Sequence, residues 1–241
     1  MNLLFFLVQD RFAAADDGLL VLSRGEGMFV GEKIKVTQYP GGVKTTKEIA
    51  WPTNGLIYVT ENTSGCGYSN FEQSNTDSST TLAEEQNCGS VYVKGTFSKS
   101  LTIAAATDLI IDGSITPTGV SAGSAPTGTP VVGLIASRFV RIEHTCSGGL
   151  SNPWIYAAIL STDHSFLVDN DACGPEMGDL NIYGAIGQKF RGVVGTFGTG
   201  YTGYLKNYIY DERLATDEPP YFLAPLKAGW RIIRETATTR G

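Results

Sequence analysis

Four segments of the chain can be laid over one another: AAATDLIID from Ala104, LIASRFVRIE from Leu134, ILSTDHSFLVD from Ile159 and AIGQKFRGVV from Ala185. The overlay puts Leu109, Phe139, His164 and Phe190 in one line, at spacings of about 30, 25 and 26 residues, and Ala104, Leu134, Ile159 and Ala185 in a second. A fixed period of this length marks a solenoid, whose units are too small to bury a core alone and do so by stacking on their neighbours. Each segment reads as a short strand, a bend and another short strand, the content of one coil of a parallel β-helix. The expected fold is all-β, a single-stranded parallel β-helix with capped ends. Apolar side chains would stack in columns, small residues such as Ala104, Ala136 and Ala185 would sit at corners, and irregular inserts would occupy turns.

Composition agrees with that architecture. Glycine is abundant (29 residues), only 17% of the chain is charged, and alternating runs such as EKIKVTQY, GLIYVTE and SVYVKG are separated by Gly, Asn, Asp or Pro. No helical pattern outlasts about three turns, so crossover helices for a βαβ arrangement are missing. The expected division is residues 1–60 as an N-terminal cap with the first coils, 61–90 as a polar insert, 91–214 as coils, and 215–241 as a C-terminal cap and tail. In the first part Ile49, Trp51, Leu56 and Tyr58 are the expected packing residues.

The start, MNLLFFLVQDRFAAADDG, imitates a secretory signal but lacks a basic opening, and its apolar run is short. It is expected to be a retained strand covering one end, or the start of a chain lying inside a longer protein. No segment reaches the roughly 18 apolar residues that cross a bilayer. A net charge of −6 without a run of Lys or Arg gives no footprint for nucleic acid.

The four cysteines, Cys66, Cys88, Cys146 and Cys173, lack zinc spacing. Two local disulfides, Cys66 with Cys88 and Cys146 with Cys173, are expected in an oxidising compartment; the alternative is reduced thiols in the core. The second pair is 27 residues apart, about one coil. An extracellular or cell-surface location follows.

Candidate chemistry is sparse. Asp163, His164 and Ser165 are consecutive, and neighbours on a strand point to opposite faces, so they cannot form a relay among themselves. His164 falls in the apolar line and is expected to be a stacked core residue; His144 is expected at a turn. Asp163, Asp169, Asp171, Asp179, Lys189, Arg191, Asp211 and Arg213 are the raw material for an acid–base or Ca²⁺ site. Asp169 and Asp171, however, sit in VDNDACG, where turns favour Asp for its own backbone bonds. No catalytic residue, cofactor or metal is assigned.

Lys189 and Arg191 alternate with Phe190, giving two outward cations that either make a surface salt bridge or end-to-end contact with Asp211, Glu212 or Arg213, or form a site for an anionic sugar. Tyr201, Tyr204, Tyr208 and Tyr210 offer an aromatic platform for sugar rings. The alternative is that they pack beneath EPPYFLAP as the closure of the last coil, and that closure is the expected arrangement.

The segments VKGTFSKSLTIAAATDLIIDGSI, VVGLIASRFVRIEH, NPWIYAAILSTDHSFLVDN, GAIGQKFRG and KNYIYDERL with PPYFL give Val91–Trp230 a resemblance. They resemble bacterial exported proteins of unknown function that are often associated with type IV pilus or secretion loci. The resemblance implies a right-handed parallel β-helix displayed outside the cell and anchored through an N-terminal pilin-like or membrane segment. The first 60 residues depart from that anchored pattern.

The expected function is a noncatalytic structural or adhesive surface protein, associated with a pilus or filament and able to self-associate. The alternative is a carbohydrate-active β-helix enzyme, a lyase or hydrolase acting on acidic polysaccharide.

Overall fold

The computed structural model describes residues 13–14, 20–23, 25–31, 33–38, 44–61, 76–77, 88–198 and 200–222. Its first half contains β1 (Ala13–Ala14), β2 (Leu20–Ser23), β3 (Gly25–Gly31), β4 (Lys33–Gln38), β5 (Thr45–Ala50), β6 (Leu56–Thr60), β7 (Thr76–Asp77), β8 (Val91–Phe97), β9 (Leu101–Ala105) and β10 (Leu109–Pro117). There follow β11 (Val132–Ala136), β12 (Val140–Ile142), β13 (His144–Thr145), β14 (Gly148–Gly149), β15 (Trp154–Ser161), β16 (Phe166–Val168), β17 (Glu176–Gln188), β18 (Arg191–Gly192), β19 (Gly195–Phe197) and β20 (Tyr201–Tyr210). A single 3₁₀ turn, Glu212–Ala215, is the one helical element among the described residues.

The strands wind into a parallel β-solenoid of about 4 turns with three faces. One face runs through β2, β6, β9, β11 and the C-terminal halves of β15 and β17, each parallel to the next. A second runs through β8 and β10 at their N-terminal halves, then β12 and β16. The third takes the C-terminal halves of β8 and β10, the N-terminal halves of β15 and β17, and β20. At the N-terminal side β3 pairs in parallel with β8, and β4 and β5 extend the sheet as antiparallel strands.

Stacking of β-branched and leucine side chains holds the coils together. On the first face Ile57, Ile103, Leu134, Ile159 and Ile186 lie in register. On the second, Val91, Leu109, Val140 and Phe166 do so, and on the third Ile115, Ile155 and Ile182. Nearly all are fully buried. Each such side chain contributes roughly 1.5–3 kcal/mol by leaving water.

These columns correct the overlay read from the sequence. Leu109 pairs with Val140, not Phe139, and Val140 pairs with Phe166, so His164 lies outside the column. The second line slips likewise: Ile103, not Ala104, pairs with Leu134, and Ile186, not Ala185, pairs with Ile159. Phe139 and His164 are buried in the turns before β12 and β16, with ring centroids 4.4 Å apart. In β6 the inward residues are Ile57 and Val59, with Leu56 and Tyr58 on the opposite parity; Ile49 and Trp51 pack on the core edge.

Corners have specific chemistry. Between the second and third faces β10 bulges: Asp112, Gly113 and Ser114 oppose Lys94 alone, and Lys94 reaches Asp112 at 2.5 Å. Between the third and first faces β17 bends at Gly184, where an added Cβ would sit 1.8 Å from the Ala157 carbonyl oxygen of the coil beneath.

The C-terminal segment corrects the expected closure. After β20, Arg213 holds Asp211 at 2.7 Å and donates to the carbonyls of Gly128 and Pro130 at 3.0 and 3.1 Å. The chain then runs back along the outer side of the first face, where Thr102, Gly133 and Ala158 form an outward column of small residues. Thr102 donates its hydroxyl to the Pro220 carbonyl, and Pro219 and Phe222 lie over Gly133. Pro219–Phe222 is thus a strap on a side wall, not a lid on the last coil; Leu223–Pro225 lie outside the described residues.

A Cβ at position 133 would stand 2.6 Å from the Phe222 ring and 2.8 Å from Thr102 Oγ1. Gly133→Val is therefore expected to lift the strap at a cost of about 1–3 kcal/mol, as overpacking does. Chymotrypsin would then cut at Tyr221 or Phe222 several-fold faster than in the parent chain, and an unchanged cleavage rate would show that the strap does not depend on this groove.

Candidate functional site

Carboxylates, the groups on which an enzymatic reading depends, are mostly committed to ion pairs inside the fold. Arg141 stands between Val140 and Ile142 and points outward from the second face, yet it is buried, as are its neighbours Ile110 and Leu167 in the same outward column. Its Nε and Nη2 donate to the two oxygens of Asp169 at 2.9 and 2.8 Å, and its Nη1 donates to Asp108 at 3.0 Å. Asp108 Oδ1 also accepts from the Phe139 amide at 3.2 Å. Burial alone would lower the Arg141 pKa; hydrogen bonds and charge from Asp169 and Asp108 outweigh it and raise the value above the ordinary one. Asp169 is therefore a partner of Arg141, not the self-bonded turn residue expected.

The described part of the insert reaches this side of the molecule. Thr76–Asp77 pairs in parallel with Arg191–Gly192, several coils beyond the point at which the insert leaves the solenoid.

The corner after the second face is clamped. Cys146 and Cys173 form a disulfide with Cα atoms 5.0 Å apart across adjacent coils. His144, expected at an open turn, is buried in β13, where Nδ1 donates to the Asp169 carbonyl at 2.9 Å. The Asn170 amide donates to the His144 carbonyl at 2.9 Å. Asp171 is also buried and accepts from Thr196 at 3.2 Å. Cys88 is disulfide-bonded, whereas Cys66 lies outside the described residues. Among the described residues no group of three or more His, Cys, Asp or Glu has metal-site geometry, and no helix is long and apolar enough to cross a membrane.

The six residues predicted for sugar contact separate. Tyr204 is buried and donates its hydroxyl to the Leu150 carbonyl at 2.7 Å; burial pushes its pKa up to about 12. It is a core residue and no part of a platform. Tyr201 stacks on Phe197 at 5.7 Å in the β19–β20 hairpin. Lys189 lies over the Phe190 ring at 5.4 Å, and Asp211 is taken by Arg213, so the expected bridge from Lys189 or Arg191 to Asp211 is not formed.

Tyr208, Tyr210 and Arg191 remain at the C-terminal end, and Lys206, which the sequence reading missed, joins them. In register, Lys206 continues the buried Leu180 position and Tyr208 the buried Ile182 position. Beyond residues 205–210 of β20 no further strand is paired among the described residues. The inward positions of the last rung therefore face outward along the axis: Tyr208 is 42% exposed, Tyr210 57% and neighbouring Leu205 41%. Burial against the rung beneath, followed by the charge of Arg191, lowers the Lys206 pKa. Alternation along β20 would have identified Lys206, because a lysine two residues before Tyr208 must share its face.

The third face carries rings as well. Trp154, Tyr156 and Tyr183 stack on the outside of the third face at 6.0 and 5.2 Å. Tyr156 is covered by the 118–131 loop, its hydroxyl accepting from Gly123 and donating to Ser124. A shallow cleft lies at the corner between the third and first faces, lined by Trp51, Asn54, Lys99 and Pro220.

No protein-family model, curated protein or solved structure matches the chain. The likeness to exported, pilus-linked proteins thus has no support from these comparisons. Fold and site together define a disulfide-containing parallel β-solenoid whose last described rung exposes aromatic and cationic side chains.

Proposed function

We propose that the chain is a noncatalytic structural or adhesive element that works outside the reducing cytosol and makes contact through its C-terminal rung. The observation that carries this reading is the exposure of Phe197 (68%), Leu205, Tyr208 and Tyr210 together on the last described coil of the solenoid. The ion pairing of Asp108, Asp112, Asp169 and Asp211 favours it over the carbohydrate-active enzyme, since a lyase or hydrolase needs carboxylates or bases converging on an open groove. The Cys146–Cys173 bond suits an oxidising location.

Contact with something other than a stacked copy is the better fit. A lysine at an inward position of the terminal rung is a device that blunts edge-to-edge association. The purified chain, held with a panel of neutral and acidic polysaccharides, is expected to release no reducing or unsaturated ends and to sediment as a monomer at micromolar concentration. Steady product release overturns the noncatalytic reading.

A further inference from the structure

We infer that the open C-terminal rung binds an acidic polysaccharide, with Arg191 and Lys206 holding its carboxylates and Tyr208 carrying a sugar ring. This rests on the adhesive reading and names the ligand class for the same surface. Lys206 and Tyr208 are two residues apart on β20 and share one face, so a cation and an aromatic ring are presented side by side at the end of the core column. Arg191 stands on β18, in the same last coil as Lys206 on β20, and its charge acts on Lys206. Among the described residues neither Arg191 nor Lys206 has an ion-pair partner, whereas Lys94, Arg141 and Arg213 all do.

Among the described residues no carboxylate pairs with either cation, and two like charges carried on one coil create a local demand for an anion. The tyrosine decides which anion. A pyranose ring has an apolar face that stacks on an aromatic ring, and a uronic acid carries a carboxylate beside that face. An acidic peptide would satisfy the cations but offer no such ring face to Tyr208 and no reason for Tyr210 and Leu205 to be exposed beside it.

The test uses the whole chain and alginate as the uronate polymer, with its neutral propylene glycol ester and poly-L-glutamate as comparators. Alginate is expected to bind at low salt and to weaken as salt rises. The ester and poly-L-glutamate should bind at least about tenfold more weakly. Arg191→Gln and Lys206→Gln should each weaken alginate binding by about tenfold. Lys206→Arg should retain it, Tyr208→Ala should reduce it at any salt, and unchanged thermal unfolding would show that these exposed substitutions leave the fold intact.

Equal binding of poly-L-glutamate, binding of alginate that ignores Arg191 and Lys206, or no binding of alginate each overturns the inference. Binding of the neutral ester through Tyr208 with no preference for alginate overturns it too, while leaving the adhesive reading in place. Only turnover of a polymer overturns the noncatalytic reading itself.

Discussion

Replacing Arg141 with leucine is expected to cost about 3–5 kcal/mol of stability, among the largest effects of any single side chain outside the apolar columns. The guanidinium is buried together with the carboxylates of Asp108 and Asp169, each held at 3.0 Å or less, on coils either side of β12. Leucine fills part of the volume but leaves two carboxylates in a low-dielectric site without the cation that offsets their desolvation. At roughly 2–4 °C per kcal/mol for a chain of this size, the thermal midpoint should fall by about 10 °C. Replacing the three charges together, as Asp108→Asn, Arg141→Met and Asp169→Asn, should recover most of the loss, because the penalty lies in the uncompensated charge. Calorimetry of the single and triple variants checks this; a single variant within about 1 kcal/mol of the parent would mean that the triad is solvated.

The second large effect comes from the Cys146–Cys173 disulfide, which closes a sequence separation of 27. In the chain-entropy account a loop of that size contributes about 3.5 kcal/mol by restricting the unfolded chain. The double variant Cys146→Ser, Cys173→Ser is expected to unfold at correspondingly lower denaturant, with a slope equal to or steeper than the parent's because the unfolded chain without the cross-link exposes more surface. Hydrogen exchange should rise first in β13, β14 and residues 169–175, where the His144–Asp169 and Asn170–His144 bonds depend on the two coils staying together. An unchanged denaturation midpoint would contradict the clamp.

Much of the fold was legible in the sequence because columns of Ile, Val and Leu recur with the coil. The register was not. The turn between β9 and β10 and that between β11 and β12 each take three residues, whereas the turn between β15 and β16 takes four. Phe139 is buried within such a turn, so its aromatic character imitates a core position one residue from the true one. A slip of one residue moves a side chain to the other face, which is why Ala104 and Ala185 were misread while Leu134 and Ile159 were aligned correctly.

The site was legible only in part. Arg191, Tyr208 and Tyr210 stood out as residue types, but Tyr204 is separated from them by burial, which depends on where β20 leaves the core. Arg141 reads as a surface residue in FVRIEH, and nothing local says that its outward face is covered. A hint existed in Asp108 and Asp169, which stand just before and just after the neighbouring strands of that column. The route of Pro219–Phe222 was hidden too, because the groove of Thr102, Gly133 and Ala158 exists only once three distant coils are in register.

That register is the claim on which the triad, the clamp and the cationic rung all rest, and a crystal structure at side-chain resolution tests it most directly. It should place Leu134 between Ile103 and Ile159, and Val140 between Leu109 and Phe166, with parallel neighbours about 4.8 Å apart. Phe139 standing beside Leu109 in the interior, or β9, β11 and β15 running antiparallel, would contradict it.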